Sequence, residues 1–465
     1  MAPSASEYLT ATVSTCRSCG RLVPARVHAA EDGVWFHKEC PDHGPQRVRV
    51  WSDAGQYLAL DRYHRAGAVP LQFAAAMDRG CPDSCGLCPE HEQHVCMPII
   101  EITDHCDLAC PVCLVKNRAS FHLTHRDVAG ILDRLIASEG RIDIVNLSGG
   151  EPTLNPEFRQ IVEECLSRDE ILYVSVSTNG LALARDRGLL RFLAQRHVVI
   201  SLQFDGIRDD IYERLRGRAI LDEKRRLIEA AGELDAPMTL TMTVARGIND
   251  DQPAEAARLL FQHDHLCSLM LQPLAYTGRG ADLRRPDDAV TIPDVIQSLD
   301  GACGGALSQA DFSPLPCSHP ACFALAFYLR VEDGRFLPIK RLVAIDRYLD
   351  MIQNRALFGT DPGSFEHVRQ AVYDLWSGPA GLAPYSEQAL AAVKRLLGSI
   401  SCSGNFRPAQ AAAAVERSIK SIFIHHFMDR DTFDLSRVRK CCNVYPLADG
   451  RMMPACVYNC LRRPS

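Results

Sequence analysis

The chain is poor in the features that place a protein in a membrane, outside the cell or on nucleic acid. It has no run of about 20 apolar residues, so no membrane-spanning helix is expected. It has no long basic run and a formal net charge of −6. That leaves no electropositive stripe for binding nucleic acid irrespective of sequence. Met1 to Thr15 is polar and lacks the apolar core of a secretory leader. Cysteine, by contrast, abounds, with 20 among 465 residues. In a small secreted chain this would mean a disulfide scaffold. In a long chain without a leader it points to metal centres in a reducing compartment, and a cytoplasmic location is expected. Hydrophobic residues make up 47% and charged ones 23%, an ordinary globular balance, and the length allows about two to four domains with a sizeable core.

The densest chemistry lies at Cys106-Asp-Leu-Ala-Cys110-Pro-Val-Cys113, a CxxxCxxC loop. The apolar run Ile99 to Thr103 leads into it and reads as a buried strand. Three thiolates on one loop can hold three irons of a cubane cluster and leave the fourth open, although soft sulfur ligands also suit zinc. A second apolar run, Ile142 to Leu147, leads to Gly149-Gly150-Glu151-Pro152. Further runs at Leu172–Ser177, Val198–Phe204, Met238–Val244 and Leu266–Leu271 alternate with amphipathic stretches such as Asp127–Ser138 and Glu157–Leu166. Such βα units predict a parallel sheet with right-handed crossovers, its sites at the C-terminal strand ends. Ser177 and Asn179 end the third strand, and Ser201, Gln203 and Asp205 alternate on or after the fourth, sharing one face.

Other cysteine groups surround this core. Cys16, Cys19, Cys40 and His43 follow a CxxC then CxxH pattern, a ribbon site for one zinc or one iron, with His37 a second candidate for the imidazole. So small a ribbon draws its folding energy from the metal. It is either a structural module or an electron relay. Cys81, Cys85, Cys88 and Cys96 lie close enough in sequence to close a zinc site or a fully ligated cluster. Cys317 and Cys322, with Cys441, Cys442, Cys456 and Cys460, can share a second cluster only if the C-terminal tail folds back; Cys303 is a further candidate. Cys165 and Cys267 sit in apolar patterns and read as core thiols. Asp53 to Ala66 reads as an amphipathic connector helix, Tyr276 to Asp288 as a polar linker, and the remainder as mostly helical, with helices at Ala389–Leu397 and Ala411–Met428.

The CxxxCxxC loop after one strand and Gly-Gly-Glu-Pro after the next resemble the radical S-adenosylmethionine (SAM) superfamily. The resemblance implies an α/β fold: a partial (β/α)6 TIM-like barrel, with an N-terminal metal ribbon and a mostly helical, Cys-bearing C-terminal domain. The expected division is 1–75 ribbon and connector, 76–98 Cys-rich segment, 99–290 barrel and 291–465 C-terminal domain. It further implies that Cys106, Cys110 and Cys113 hold a catalytic 4Fe–4S cluster whose open iron binds SAM. Gly149, Gly150, Glu151 and Pro152 meet the amino group of SAM. Ser177, Asn179, Ser201, Gln203 and Asp205 handle its ribose and carboxylate, and Arg216 pairs with the carboxylate by its fork geometry.

The accessory motifs narrow the likeness. They are CxxC…CPxHG near the start, Cys81-Pro-Asp-Ser-Cys85-Gly-Leu-Cys88-Pro-Glu-His91-Glu-Gln-His94-Val-Cys96, Cys317-Ser-His-Pro-Ala-Cys322 and the closing Cys441-Cys442 with Pro-Ala-Cys456. Together they resemble the branch of tetraether synthase and the class D radical SAM methylases. That implies hydrogen abstraction from an unactivated carbon and C–C bond formation, as lipid chain coupling or methylation, with two auxiliary clusters and an electron donor such as ferredoxin or flavodoxin. A tailoring step in a natural-product or pterin pathway is the alternative, and a non-catalytic multi-zinc interaction protein the competing class. The chain departs from the family in having Leu114 where an aromatic often flanks the adenine, and in the extra Cys460.

Overall fold

The computed structural model describes residues 6–115, 120–331, 334–355, 386–401 and 416–463. Its first unit is a four-stranded antiparallel sheet of β1 (Glu7–Thr15), β2 (Leu22–Ala30), β3 (Gly33–Cys40) and β4 (Gly44–Trp51), in that order. Strict alternation in β2 buries Val23, Ala25, Val27 and Ala29 on one face. The expected connector helix is one turn, Ala54–Leu58, capped by Asp53 and followed by a 3₁₀ turn at Leu60–Tyr63.

The second sheet carries the six expected parallel strands in sequence order: β5 (Met97–Thr103), β6 (Ile142–Gly149), β7 (Ile171–Thr178), β8 (Val199–Gln203), β9 (Met238–Val244) and β10 (Leu266–Pro273). Each begins or ends within a few residues of its apolar run. In β9, Met238, Leu240, Met242 and Val244 are buried in the main core, and Thr239, Thr241 and Thr243 take the other face. The helix His125–Glu139 starts at a capping box between Thr124 and Asp127, ends at Gly140 with φ 70°, and buries Val128, Ile131, Leu132 and Leu135. That i, i+3, i+4, i+7 spacing fixes its inner face.

The last third of the chain continues this sheet. β11 (Phe323–Arg330), β12 (Phe336–Pro338) and β13 (Ile419–His425) extend it beyond β10, and β14 (Asn443–Pro446) and β15 (Met452–Pro454) extend it beyond β5. The expected helix Ala411–Met428 is thereby corrected. Residues 411–415 lie outside the described residues, and Ile419–His425 is a strand, parallel to β10 and antiparallel to β11. Its apolar residues suit a strand between two others as well as a helix face. Helices do occur in this region, at Ile292–Leu299, Ile345–Ile352 and Ser386–Ser401. β12 and β15 remain the sheet's edges, so the barrel is open. Residues from β5 to β11, β13 and β14 nonetheless line one cavity of about 210 Å³, so the sheet curls around it.

Candidate functional site

Two loops meet at the C-terminal ends of β5 and β6. The Gly150 amide donates to Thr103 O at 2.8 Å and the Glu151 amide to His105 O at 2.7 Å. Side chains cannot be accommodated there. A Cβ on Gly149 would lie 2.0 Å from Thr103 O, and one on Gly150 2.1 Å from His105 O. Gly149 also has φ 134°, a conformation glycine alone adopts readily. The paired glycines thus lay the Gly-Gly-Glu segment against the residues that lead into Cys106.

The cysteine loop is fixed at both ends. The Asp104 carboxylate accepts hydrogen bonds from Ser120 and from the Phe121 amide, and Cys113 N donates to Cys110 O. Cys113 O accepts the Arg279 amide, and a Cβ on Gly278 would strike Leu114 O at 2.3 Å. Tyr276–Asp288 is therefore not a free linker but a wall of the cysteine loop. The three thiols are half-buried. Burial pushes the Cys106 thiol up to about 12, and neighbouring Glu151 and Cys110 push the same way; burial raises Cys113 too.

Glu151 is 1% exposed. Its carboxylate accepts from Thr153, from Thr178 Oγ1 at 2.7 Å and from the Asn179 amide at 2.7 Å. It ties the ends of β6 and β7 together. Asn179 Nδ2 then donates to Asp107 in the cysteine loop at 2.6 Å. Of the other expected residues, Ser177 donates to Asn146 and Ser201 bonds Thr241. Gln203 donates to Asp205. Arg216 departs from expectation: its fork holds Asp205, Nε to Oδ2 at 2.6 Å and NH2 to Oδ1 at 2.7 Å, with both residues buried. It also lies near the Cys110 thiol. The guanidinium expected to grip a ligand carboxylate grips a protein one.

Lys224 is the residue the sequence reading missed. It is 1% exposed, on the helix Leu221–Glu233, and its ammonium donates to Asn179 O and to Gln203 Oε1. Burial brings it down to about 7. The signal was available: Leu221, Leu227, Ile228 and Ala231 mark the helix's buried face, and Lys224 falls among them.

The accessory cysteines group by space rather than by sequence order. Among the described residues, Cys16, Cys19, Cys40 and His43 form the one set at single-ion spacing, their ligand atoms all within 4.8 Å. His37 is not part of it. Cys96 lies beside Cys317 and Cys442. Cys85 lies beside Cys81 and near Cys441 and Cys88. Cys322 faces Arg437 and Cys442, and Cys456 feels Cys322. The tail folds back as expected: the Cys96 amide donates to Cys442 O and the His426 amide to Cys322 O. Of the set Cys317, Cys322, Cys441 and Cys456, the last three lie near one another, and Cys317 lies beside Cys96. Cys165 is a buried core thiol, whereas Cys267 lines the cavity.

Residues 100–260 match the sequence model of the Radical SAM superfamily. The chain carries a radical SAM domain. Residues 8–52, ahead of the radical SAM domain, match the HMPTM N-terminal zinc ribbon domain. The chain is 26% identical over 97% of its length, and 94% of the other's, to a 7,8-dihydro-6-hydroxymethylpterin dimethyltransferase of Methanocaldococcus jannaschii. A GTP 3′,8-cyclase of Streptomyces coelicolor is 27% identical over 43% of this chain and 59% of its own length, so the chain spans under two thirds of that relative. Among solved structures, Streptococcus suis SuiB bound to S-adenosylmethionine aligns at 14% identity and a TM-score of 0.38 over 44% of this chain and 46% of that one. A radical SAM domain implies a 4Fe–4S cluster and SAM, and the ribbon implies a metal site. The three thiols on a pinned loop beside the Gly-Gly-Glu segment are a donor set that fits the cluster. No described helix is long and apolar enough to cross a membrane.

Proposed function

We propose that this radical SAM enzyme forms a C–C bond at an unactivated carbon, as a methylation of the class D type on a pterin or similar ring. The single observation that carries the reading is the contact of Gly150 and Glu151 with Thr103 and His105, which lead directly into the Cys106–Cys113 loop, in a chain that is similar to a pterin dimethyltransferase nearly end to end. Cys106, Cys110 and Cys113 would hold the cluster, and Gly149, Gly150, Glu151 and Pro152 the amino end of SAM. When bound, the cluster supplies the electron that splits the sulfonium and yields the 5′-deoxyadenosyl radical. The protein's part is to hold both loops in register, through Asn155 Nδ2 on Ile102 O at 2.7 Å and Asn179 on Asp107, and to keep water from the reacting carbon. Cys81, Cys85 and Cys88 with Cys441, and Cys96, Cys317 and Cys442 with Cys322, would form the two auxiliary sites. Cys456 lies near Cys441 and Cys322. A ferredoxin or flavodoxin would serve as electron donor.

Anaerobically reconstituted enzyme with reductant, SAM, a methylene-folate-type one-carbon donor and 7,8-dihydro-6-hydroxymethylpterin should yield a methylated pterin by mass spectrometry. Cleavage of SAM without any change to the pterin would reject the pterin and keep the class. A lipid chain is the second reading. It is favoured by the cavity, whose walls include Met97, Ile144, Phe323, Phe327 and Phe423. Coupled or methylated lipid in place of methylated pterin in the same assay would select it.

A further inference from the structure

Two unlike sets of side chains line the cavity inside the curled sheet. One is apolar and largely aromatic, with Phe323, Phe327 and Phe423. The other is a row of hydroxyls at one level. Ser201 of β8 is the register partner of Thr239 in β9, Thr239 of Ser268 in β10, and Ser268 of Ser421 in β13. Register partners in neighbouring strands share a face, and all four side chains line the cavity of about 210 Å³. Parallel strands that curl around a core normally fill it with branched apolar residues. Four adjacent strands offering hydroxyls depart from that pattern. Ser201 Oγ pairs with Thr241 Oγ1 at 3.0 Å. No side-chain hydrogen bond ties Thr239, Ser268 or Ser421 to any described residue. Left so, each is less favourable than alanine or valine at the same place. The loss is recovered when a ligand brings donors and acceptors to the row.

The place and the chemistry say which ligand. Gln203 and Thr241, at the strand ends beside the radical SAM site, lie two residues along from Ser201 and Thr239. They share their face and stand about 7 Å away along the strands. Cys96, just before β5, and Cys442, just before β14, also line the cavity. A hydroxyl can donate or accept, so a row of them matches a ring edge on which N–H and carbonyl groups alternate. Aromatic side chains match the flat faces of the same ring. An alkyl chain would leave the row unpaired. Resting on the reading of this enzyme as a pterin methylase, we propose that the cavity holds the bicyclic ring of the substrate, with its hydrogen-bonding edge on Thr239, Ser268 and Ser421. These three residues then select a heteroaromatic lactam over an apolar chain.

The test measures binding of 7,8-dihydro-6-hydroxymethylpterin to anaerobically reconstituted enzyme by equilibrium dialysis. Wild type is compared with Thr239→Val, Ser268→Ala, Ser421→Ala and the triple variant. Each single change should weaken binding about two- to tenfold, and the triple variant about ten- to a thousandfold, at one hydrogen bond apiece. SAM affinity and iron content should stay at the wild-type values. The melting temperature should hold or rise, because each change removes an unpaired hydroxyl from a largely apolar cavity. Wild-type pterin affinity in the triple variant would overturn the proposal and leave the pterin reading standing. So would equal loss of pterin and SAM affinity with a lowered melt, which marks a merely structural row. No pterin bound by wild type, with cis-parinaric acid bound instead and more tightly by the triple variant, would overturn the pterin reading and the proposal together.

Discussion

Gly150→Ala tests the junction on which the site depends. A methyl group on Gly150 would sit 2.1 Å from His105 O, 2.6 Å from His105 C and 2.9 Å from Asp104 C, and real contacts do not fall below 3.0 Å. All three neighbours are backbone, so no side chain can swing away. The loops must open until the first gap reaches at least 3.0 Å. The hydrogen bonds at 2.8 and 2.7 Å that join them cannot survive that movement. Each lost bond is worth about 0.5–1.5 kcal/mol, and forcing extra volume into a packed site costs about 1–3 kcal/mol more. The total is about 2–6 kcal/mol, concentrated between the two loops. Thermal melts of the reconstituted protein should fall, and SAM affinity should fall with them. Gly130→Ala is the control: Gly130 lies within the helix His125–Glu139 and its added methyl meets nothing nearer than Arg134 at 3.7 Å, so stability should rise by up to about 1 kcal/mol. Wild-type melting and SAM binding in Gly150→Ala would refute the junction.

Further expectations follow from the same geometry. Cys110→Ala should remove about four irons, one cubane, and all SAM cleavage, with the remaining iron intact by Mössbauer spectroscopy. Cys96→Ala and Cys317→Ala should each remove about four irons and the double variant no more, while Cys85→Ala should add its own loss to either; iron assays that find Cys96 and Cys317 additive would separate them. Cys16→Ser with Cys19→Ser should lose one metal by elemental analysis and keep SAM cleavage, because a ribbon site has no open position. His197 is held above its ordinary value, chiefly by its hydrogen bond to Glu416. The stability it adds is therefore full below about pH 6.5 and is lost as pH rises through the elevated value; melts across that window should show a downward slope that Glu416→Gln abolishes.

The six parallel strands were legible because buried strands are short apolar runs bounded by turns, and each run is interrupted by a helix with its own apolar face. The cysteine loop and the Gly-Gly-Glu turn were legible because spacing alone encodes them. The strand Ile419–His425 was not, since a run flanked by alanines has helical periodicity and only its neighbours β10 and β11 decide otherwise. The grouping of Cys96 with Cys317 and Cys442 was hidden for a related reason: residues more than two hundred positions apart meet when β14 joins β5. The contact of Arg216 with Asp205 was not legible, because pairing depends on which carboxylate the strand end presents. Lys224 was overlooked because a lysine in a charged helix reads as surface until its face is known.

The central claim, a radical SAM centre on Cys106, Cys110 and Cys113, rests most directly on one measurement: release of 5′-deoxyadenosine from SAM by the anaerobically reconstituted, reduced protein, followed by liquid chromatography. The account predicts release by wild type and none by Cys110→Ala. No release from wild type, with iron and sulfide confirmed in the sample, would contradict it.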